Sequence, residues 1–168
     1  MNELEPPDSH YLRAAEGWLG LGNHSEAHLE LARIDRRWAA HPEVLRVRFD
    51  ALGAGQRWEE ALEVARQMVK LEPSRSLGWI NRSNALHFLG RFREAYDELH
   101  PGLKLFPKNP TIPYNLACFE CRMGRLAVAR DWLMKALAMD QGGEMRRAAR
   151  ADTDLEPLWP ELKTAEPG

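Results

Sequence analysis

Cys118 and Cys121 are the two cysteines of this sequence, and they form a C-x-x-C pair. Thiolates at this spacing can bind zinc or exchange disulfides. A zinc site usually needs a second such pair or histidines at ligand spacing, and a thioredoxin-like motif needs a βαβ context. The sequence offers neither a second pair nor that context. We therefore interpret the two cysteines as small thiols that line a surface, with zinc binding as the alternative.

His24 and His28 lie four residues apart, within the segment HSEAH. The glutamate spacing of an H-E-x-x-H metal site is absent, and no third ligand accompanies them. Gly17, Gly20 and Gly22 follow no strand, so they do not form a phosphate loop. The few serines lack a His/Asp constellation. We expect no enzyme, no cofactor and no bound metal.

A 34-residue period organises the chain. Four alanines stand in register, and each follows a turn residue by five positions. The alanines are Ala27, Ala61, Ala95 and Ala129, and the turn residues are Gly22, Gln56, Gly90 and Gly124, with Gly55 offering an alternative turn glycine in the second copy. Such a period predicts stacked supersecondary units rather than one irregular core.

Each unit is predicted to contain two helices. Small residues allow the helices to approach closely, and bulky residues then fill the gaps between neighbours. Pro101 falls inside one of these helices, where proline removes a hydrogen bond, so we expect a kink there. The first helices are predicted near 9–21, 42–54, 76–89 and 111–123, and the second near 24–38, 58–71, 92–105 and 126–140, with a capping helix near 143–151.

The phasing resembles the tetratricopeptide repeat, a helix–turn–helix unit of 34 residues. The match is best in the third and fourth copies, where Trp79, Phe92, Pro107, Tyr114 and Ala136 fit the family pattern. The resemblance implies an all-α fold, a right-handed superhelical solenoid of antiparallel helix pairs. It implies repeats at 9–41, 42–75, 76–109 and 110–141. Residues 1–8, which contain Pro and Glu, are predicted to form a flexible tail, and residues 142–168 a capping helix with a C-terminal tail.

In this family the first helices line a concave groove that binds an extended peptide or a helix. An asparagine amide can pair with both the N–H and the C=O of a peptide backbone. Tyrosine would add apolar area, and arginine a charge partner at the rim. His87 could also complete three ligands with the two thiols. The groove residues implied are Arg46, Asn81, Asn84, His87, Tyr114, Asn115, Cys118 and Arg122.

One variant of the family clamps the C-terminal carboxylate of chaperone tails with basic and asparagine residues. Arg46 and Asn81 could occupy two of those places, but Asp50 stands where another asparagine is expected. Because Asp50 would repel a carboxylate, we do not expect this clamp.

Composition and charge limit the remaining function classes. Leu and Ala make up 44 residues against 11 for Val, Ile and Thr, which favours helices over sheets. A net charge of −2 gives no overall attraction to nucleic acid or anionic membrane. No apolar run approaches a membrane span, and the acidic, proline-containing start is unlike a signal peptide. We expect a cytoplasmic protein.

These observations favour a non-enzymatic scaffold that binds a protein or peptide partner in the groove. The alternative is a structural or assembly module that acts through self-association as a homo-oligomer or through its convex face. Fold is inferred here from the sequence pattern, whereas function follows from the family resemblance.

Overall fold

The computed structural model describes residues 3–140 and 143–160. Residues 1–2 and 161–168 of the predicted tails lie outside the described residues. Within the described ranges all regular structure is helical, with ten α-helices, two short 3-10 turns and no strand. The chain divides into two compact units, Met1–Leu89 and Gly90–Gly168, here called unit 1 and unit 2.

Unit 1 contains two helical hairpins and a fifth helix. Helix α1 packs against α2, and α3 against α4. Both helices of the first hairpin also contact α3, and α5 packs against α4. The helices are α1 (Asp8–Gly20), α2 (His24–Arg33), α3 (Pro42–Ala54), α4 (Trp58–Leu71) and α5 (Ser76–Phe88), with a 3-10 turn at Arg36–Trp38.

Unit 2 is built around one central helix, α8. This helix packs against α6, α7 and α9, and the C-terminal 3-10 turn lies against both α8 and α9. The helices are α6 (Phe92–Leu99), α7 (Gly102–Leu105), α8 (Thr111–Arg122), α9 (Leu126–Met139) and α10 (Glu144–Ala149), followed by the 3-10 turn Thr153–Leu158.

The helix predictions from the period are largely confirmed. Each predicted first helix begins and ends within one residue of α1, α3, α5 or α8. The second helix of the first pair is shorter than predicted, because the chain turns extended at Ile34. At Pro101 the predicted helix is divided into α6 and α7 rather than only kinked. Asp8, assigned to the N-terminal tail, is the buried first residue of α1 and accepts a hydrogen bond from the amide of Asp35.

The turns between paired helices share one backbone conformation. Gly22, Gly90 and Gly124 have φ values of 74°, 73° and 76°, and Gln56 has a φ of 57°. The left-handed region favours glycine, because a side chain is strained there. The second copy therefore keeps the register of the period at Gln56 instead of using the adjacent Gly55.

The four alanines that define the period are completely buried. Ala27 belongs to a buried cluster in which Ala15 of α1 and Leu31 of α2 pack with Val44 and Val47 of α3. Since each α-helix here has at most 14 residues, it depends on such packing for stability.

Gly78 marks a close approach between α4 and α5. A Cβ atom on Gly78 would lie 2.9 Å from the backbone N of Val69 and 3.1 Å from the backbone C of Met68. Backbone atoms cannot move aside as a flexible side chain can, so any larger residue at this position must push the helices apart.

Gly78→Ala is expected to lower the free energy of unfolding by about 1–3 kcal/mol, as overpacking does. The matched control is Gly17→Ala in α1, where an added Cβ meets nothing within 4 Å. There the better helix propensity of alanine should raise stability by up to about 1 kcal/mol. Urea unfolding followed by circular dichroism measures both; equal effects at the two glycines would contradict the close approach.

Candidate functional site

The predicted groove residues all lie on first helices of the repeat pattern. Unit 1 holds four of them, one on α3 and three on α5, and unit 2 holds the other four on α8. In unit 1 these are Arg46, Asn81, Asn84 and His87, and in unit 2 they are Tyr114, Asn115, Cys118 and Arg122.

Arg46 is the centre of a charged cluster on α1 and α3. Its Nε lies 2.9 Å from Oε2 of Glu43, and its Nη1 lies 3.4 Å from Oδ2 of Asp50. Its Nη2 pairs with Glu16 of α1. Three carboxylates thus surround one guanidinium, and about a third to a half of each side chain is exposed. We call these four residues the Arg46 cluster, and its formal charge is negative.

Asp50 is the carboxylate of this cluster that lies one helical turn after Arg46 on α3. Burial raises the pKa of Asp50 above its ordinary value, and the charge and hydrogen bond of Arg46 offset part of that rise. A second cation placed near Asp50 would therefore be favourable. The cluster is suited to accept a basic group from outside the chain.

Asn81 is buried in the packing between α4 and α5. It is 7% exposed, and its amide lies 3.8 Å from the sulfur of Met68. Asn84 and His87 on the same helix are half-buried. The structure therefore brings Asn84 and His87, but not Asn81, to a position that an external ligand could reach.

An aromatic stack at the end of α5 has no counterpart in the predicted set. The rings of Phe88 and Trp58 lie 4.1 Å apart and almost parallel, and His87 meets Phe88 edge-on. Phe88 is 59% exposed. Its place directly after His87 and two residues before the turn glycine Gly90 is the signal in the sequence. An exposed ring that is already fixed by stacking can serve as an anchor for a partner.

In unit 2, three predicted residues contact the C-terminal segment of the chain itself. Tyr114 Oη donates to Oδ2 of Asp152 at 2.8 Å, and the thiol of Cys118 lies 3.6 Å from the same oxygen. Arg122 pairs with Asp154 at 3.2 Å. Residues four apart share a helix face, so this face of α8 is occupied by the segment that precedes and begins the last 3-10 turn.

Both thiols are held in their protonated form. Burial raises the pKa of Cys118 strongly, and the Asp152 carboxylate raises it further. Burial also raises the pKa of Tyr114, and it raises that of Cys121 to about 11. Since the thiolate is the nucleophile and the metal ligand, these cysteines have the character of packing residues at neutral pH.

The donor atoms that could hold a metal ion come from Cys118, Asp152 and Asp154, which lie within 4.8 Å of one another. Asp152 already accepts hydrogen bonds from Tyr114 and Cys118, and Asp154 pairs with Arg122. This donor set differs from the predicted alternative of His87 with the two thiols, since it contains two carboxylates from the C-terminal segment.

Solved structures of other helical proteins superpose on this chain. TTC0263, a thermophilic TPR protein of Thermus thermophilus, superposes with a TM-score of 0.73 at 19% identity, over 92% of this chain and 82% of that one. The chain has the tetratricopeptide repeat fold. The TPR2B domain of yeast Sti1, in its pHsp70 complex, gives a TM-score of 0.60 at 21% identity, over 74% of this chain and 98% of the domain.

At the sequence level, the STIP1 homolog of Dictyostelium discoideum is 43% identical over 51 residues, which is 30% of this chain. The matched segment covers only 9% of that relative. No protein-family model matches the chain. Among the described residues of this tetratricopeptide fold, no helix has the length and apolar character needed to span a membrane.

Asp152→Asn is expected to loosen the contact between α8 and the C-terminal segment, because the charged acceptor of Tyr114 and Cys118 is lost. A hydrogen bond to a charged group contributes about 1.5–3 kcal/mol. Local opening should then expose Cys118 about tenfold more often. Alkylation of Cys118 by iodoacetamide, followed by mass spectrometry, measures this.

Glu156→Gln is the matched control, since it removes the same charge from an exposed position in the same turn. Equal alkylation rates in the two variants would show that the Asp152 contacts do not hold the segment in place.

Proposed function

We propose that the protein is a non-enzymatic scaffold that binds an extended or helical segment of a partner protein. The Arg46 cluster carries this proposal: it places excess negative charge on an accessible surface formed by α1 and α3. Charged side chains arranged this way steer and orient a partner more than they add raw affinity.

The chemistry of unit 1 favours a partner segment with basic side chains. A lysine or arginine of the partner would approach Asp50 and Glu16. The half-buried Asn84 would pair with the partner backbone, since an amide both donates and accepts. Phe88 would supply apolar area beside His87.

The tetratricopeptide fold supports the scaffold role by analogy. The Sti1 TPR2B domain forms a complex with pHsp70, and we extend to this chain only the general idea of a bound protein segment. Fold alone does not fix function, so the proposal depends on the surface residues. A cytoplasmic location remains part of the proposal.

Unit 2 would contact a partner only after the C-terminal segment is displaced from α8. Tyr114, Asn115, Cys118 and Arg122 remain proposed contacts. A ligand that reaches Tyr114, Cys118 and Arg122 must first replace Asp152 and Asp154, which occupy those side chains. We therefore propose unit 1 as the first point of binding.

The test begins with selection from a random peptide library displayed on phage. Enriched peptides are expected to carry lysine or arginine. Glu16→Gln/Asp50→Asn should weaken binding of a selected peptide about two- to thirtyfold, because each of the two exposed charge pairs contributes about 0.2–1 kcal/mol. Fluorescence anisotropy measures the affinity, and the loss should shrink at high salt.

The control double variant Glu59→Gln/Asp131→Asn removes the same two negative charges as the test variant, but from exposed positions on second helices. Asn84→Ala is likewise compared with Gln67→Ala, an exposed amide of α4. The proposal is wrong if no peptide is enriched, or if the control variants weaken binding as much as the test variants.

The assembly alternative is favoured by one observation, the exposed apolar side chains of α9. Leu126 and Val128 are each 42% exposed, and Met134 is 36% exposed. If this helix mediates self-association, sedimentation velocity should show oligomers that form with increasing concentration. Val128→Lys/Met134→Lys should then restore the monomer. A wild-type protein that stays monomeric throughout would exclude this alternative.

A further inference from the structure

A cavity of about 430 Å³ opens between α2, α3 and α4 of unit 1. Its volume lies in the range of small-molecule sites. None of the residues proposed above as partner contacts lines it. The lining residues are His28, Leu31 and Ala32 from α2, Arg48 and Leu52 from α3, and Arg57, Glu60, Glu63 and Val64 from α4 and its N-terminal cap.

The cavity combines an apolar floor with a charged rim. Leu31 and Leu52 are each 4% exposed, and Val64 is 7% exposed. These aliphatic side chains belong to the packing between the three helices. A few polar groups above an apolar floor are the usual composition of a binding pocket.

The carboxylates at the rim are neutralised by neighbouring arginines. Arg57 donates two hydrogen bonds to the carboxylate of Glu60, from Nε and from Nη2, each of 2.6 Å. Arg66 pairs with Glu63 at 2.5 Å. Neither carboxylate is therefore left to balance another cation in the cavity.

Arg48 is the charge that remains unbalanced. Among the described residues, it makes no ion pair and no hydrogen bond through its side chain. The side chain of Arg48 is half-buried, and this burial lowers its pKa. Burial, together with Arg57, also lowers the pKa of neighbouring His28, so that imidazole is neutral near pH 7.

The equivalent arginine of the next repeat, Arg82, is covered by an aromatic ring, whereas Arg48 is not. Arg82 follows Arg48 by one period and lies 4.9 Å from the centroid of the Trp79 ring. The residue three positions before Arg48 is Leu45, which is buried and aliphatic. Arg48 thus has no aromatic face to cover it at the corresponding place.

We propose that this cavity binds an aliphatic carboxylate, whose carboxylate pairs with Arg48 and whose hydrocarbon chain packs on Leu31, Leu52 and Val64. A half-buried cation without a counter-charge is unfavourable, and an incoming carboxylate can form two parallel hydrogen bonds with it. The ligand chemistry is shared by free organic acids and by a peptide that ends in an aliphatic residue.

The experiment uses three probes on the full chain: hexanoate, N-acetyl-leucine and N-acetyl-leucinamide. Methyl resonances of Leu31, Leu52 and Val64 report binding by nuclear magnetic resonance. Hexanoate, N-acetyl-leucine or both should cause saturable shifts of these resonances. N-acetyl-leucinamide should bind at least about tenfold more weakly, because its amide cannot form the charged pair with Arg48. Saturation by hexanoate alone identifies a free acid as the source, and saturation by N-acetyl-leucine alone identifies a chain terminus.

Two variants and one control complete the test. Arg48→Met keeps the length of the side chain and should abolish the saturable shifts. Ala32→Phe fills the cavity from an exposed position on α2 and should also abolish them, with Arg48 intact. The control Arg93→Met, at an exposed arginine of unit 2, should bind as wild type does.

The inference is overturned if neither carboxylate saturates, if the amide binds as tightly as the acid, or if Arg48→Met retains binding. Because the peptide-library experiment depends on Glu16 and Asp50, and this one on Arg48, the two proposals can fail independently.

Discussion

Close contact between neighbouring helices is the constraint on which the rest of each unit depends. The buried alanines Ala27, Ala61, Ala95 and Ala129 and the glycine Gly78 remove the side-chain volume that would hold helices apart. Once helices of at most 14 residues pack this closely, their rotation about their own axes is fixed. That rotation determines which polar residues of α1, α3, α5 and α8 face solvent, and so it determines where any ligand can bind.

The two arginines of α3 show how differently one helix can use the same charge. Arg46 is surrounded by Glu16, Glu43 and Asp50, so its charge is more than balanced on that side. Arg48, two residues later, points to the cavity among α2, α3 and α4. Residues two apart on a helix do not face each other, and each of the three carboxylates pairs with Arg46 rather than with Arg48.

The period of the sequence predicted the helices well, because buried small residues and turn glycines repeat with them. It could not predict the burial of Asn81, since the amide lies against Met68 from a different helix and no local pattern encodes that contact. It also could not show that Asp152 and Asp154 cover Tyr114 and Arg122. Those aspartates belong to a segment outside the repeats, and a repeat pattern carries no information about where such a segment folds.

The position of that C-terminal segment also limits how the array can grow. A helical hairpin added after Met139 would need the same side of α8 and α9 that the 3-10 turn Thr153–Leu158 now covers. A further hairpin packed on α8 and α9 would therefore compete with this segment for the same helix surface. A designer who inserts one after α9 must also move the residues that hold the 3-10 turn against α8 and α9.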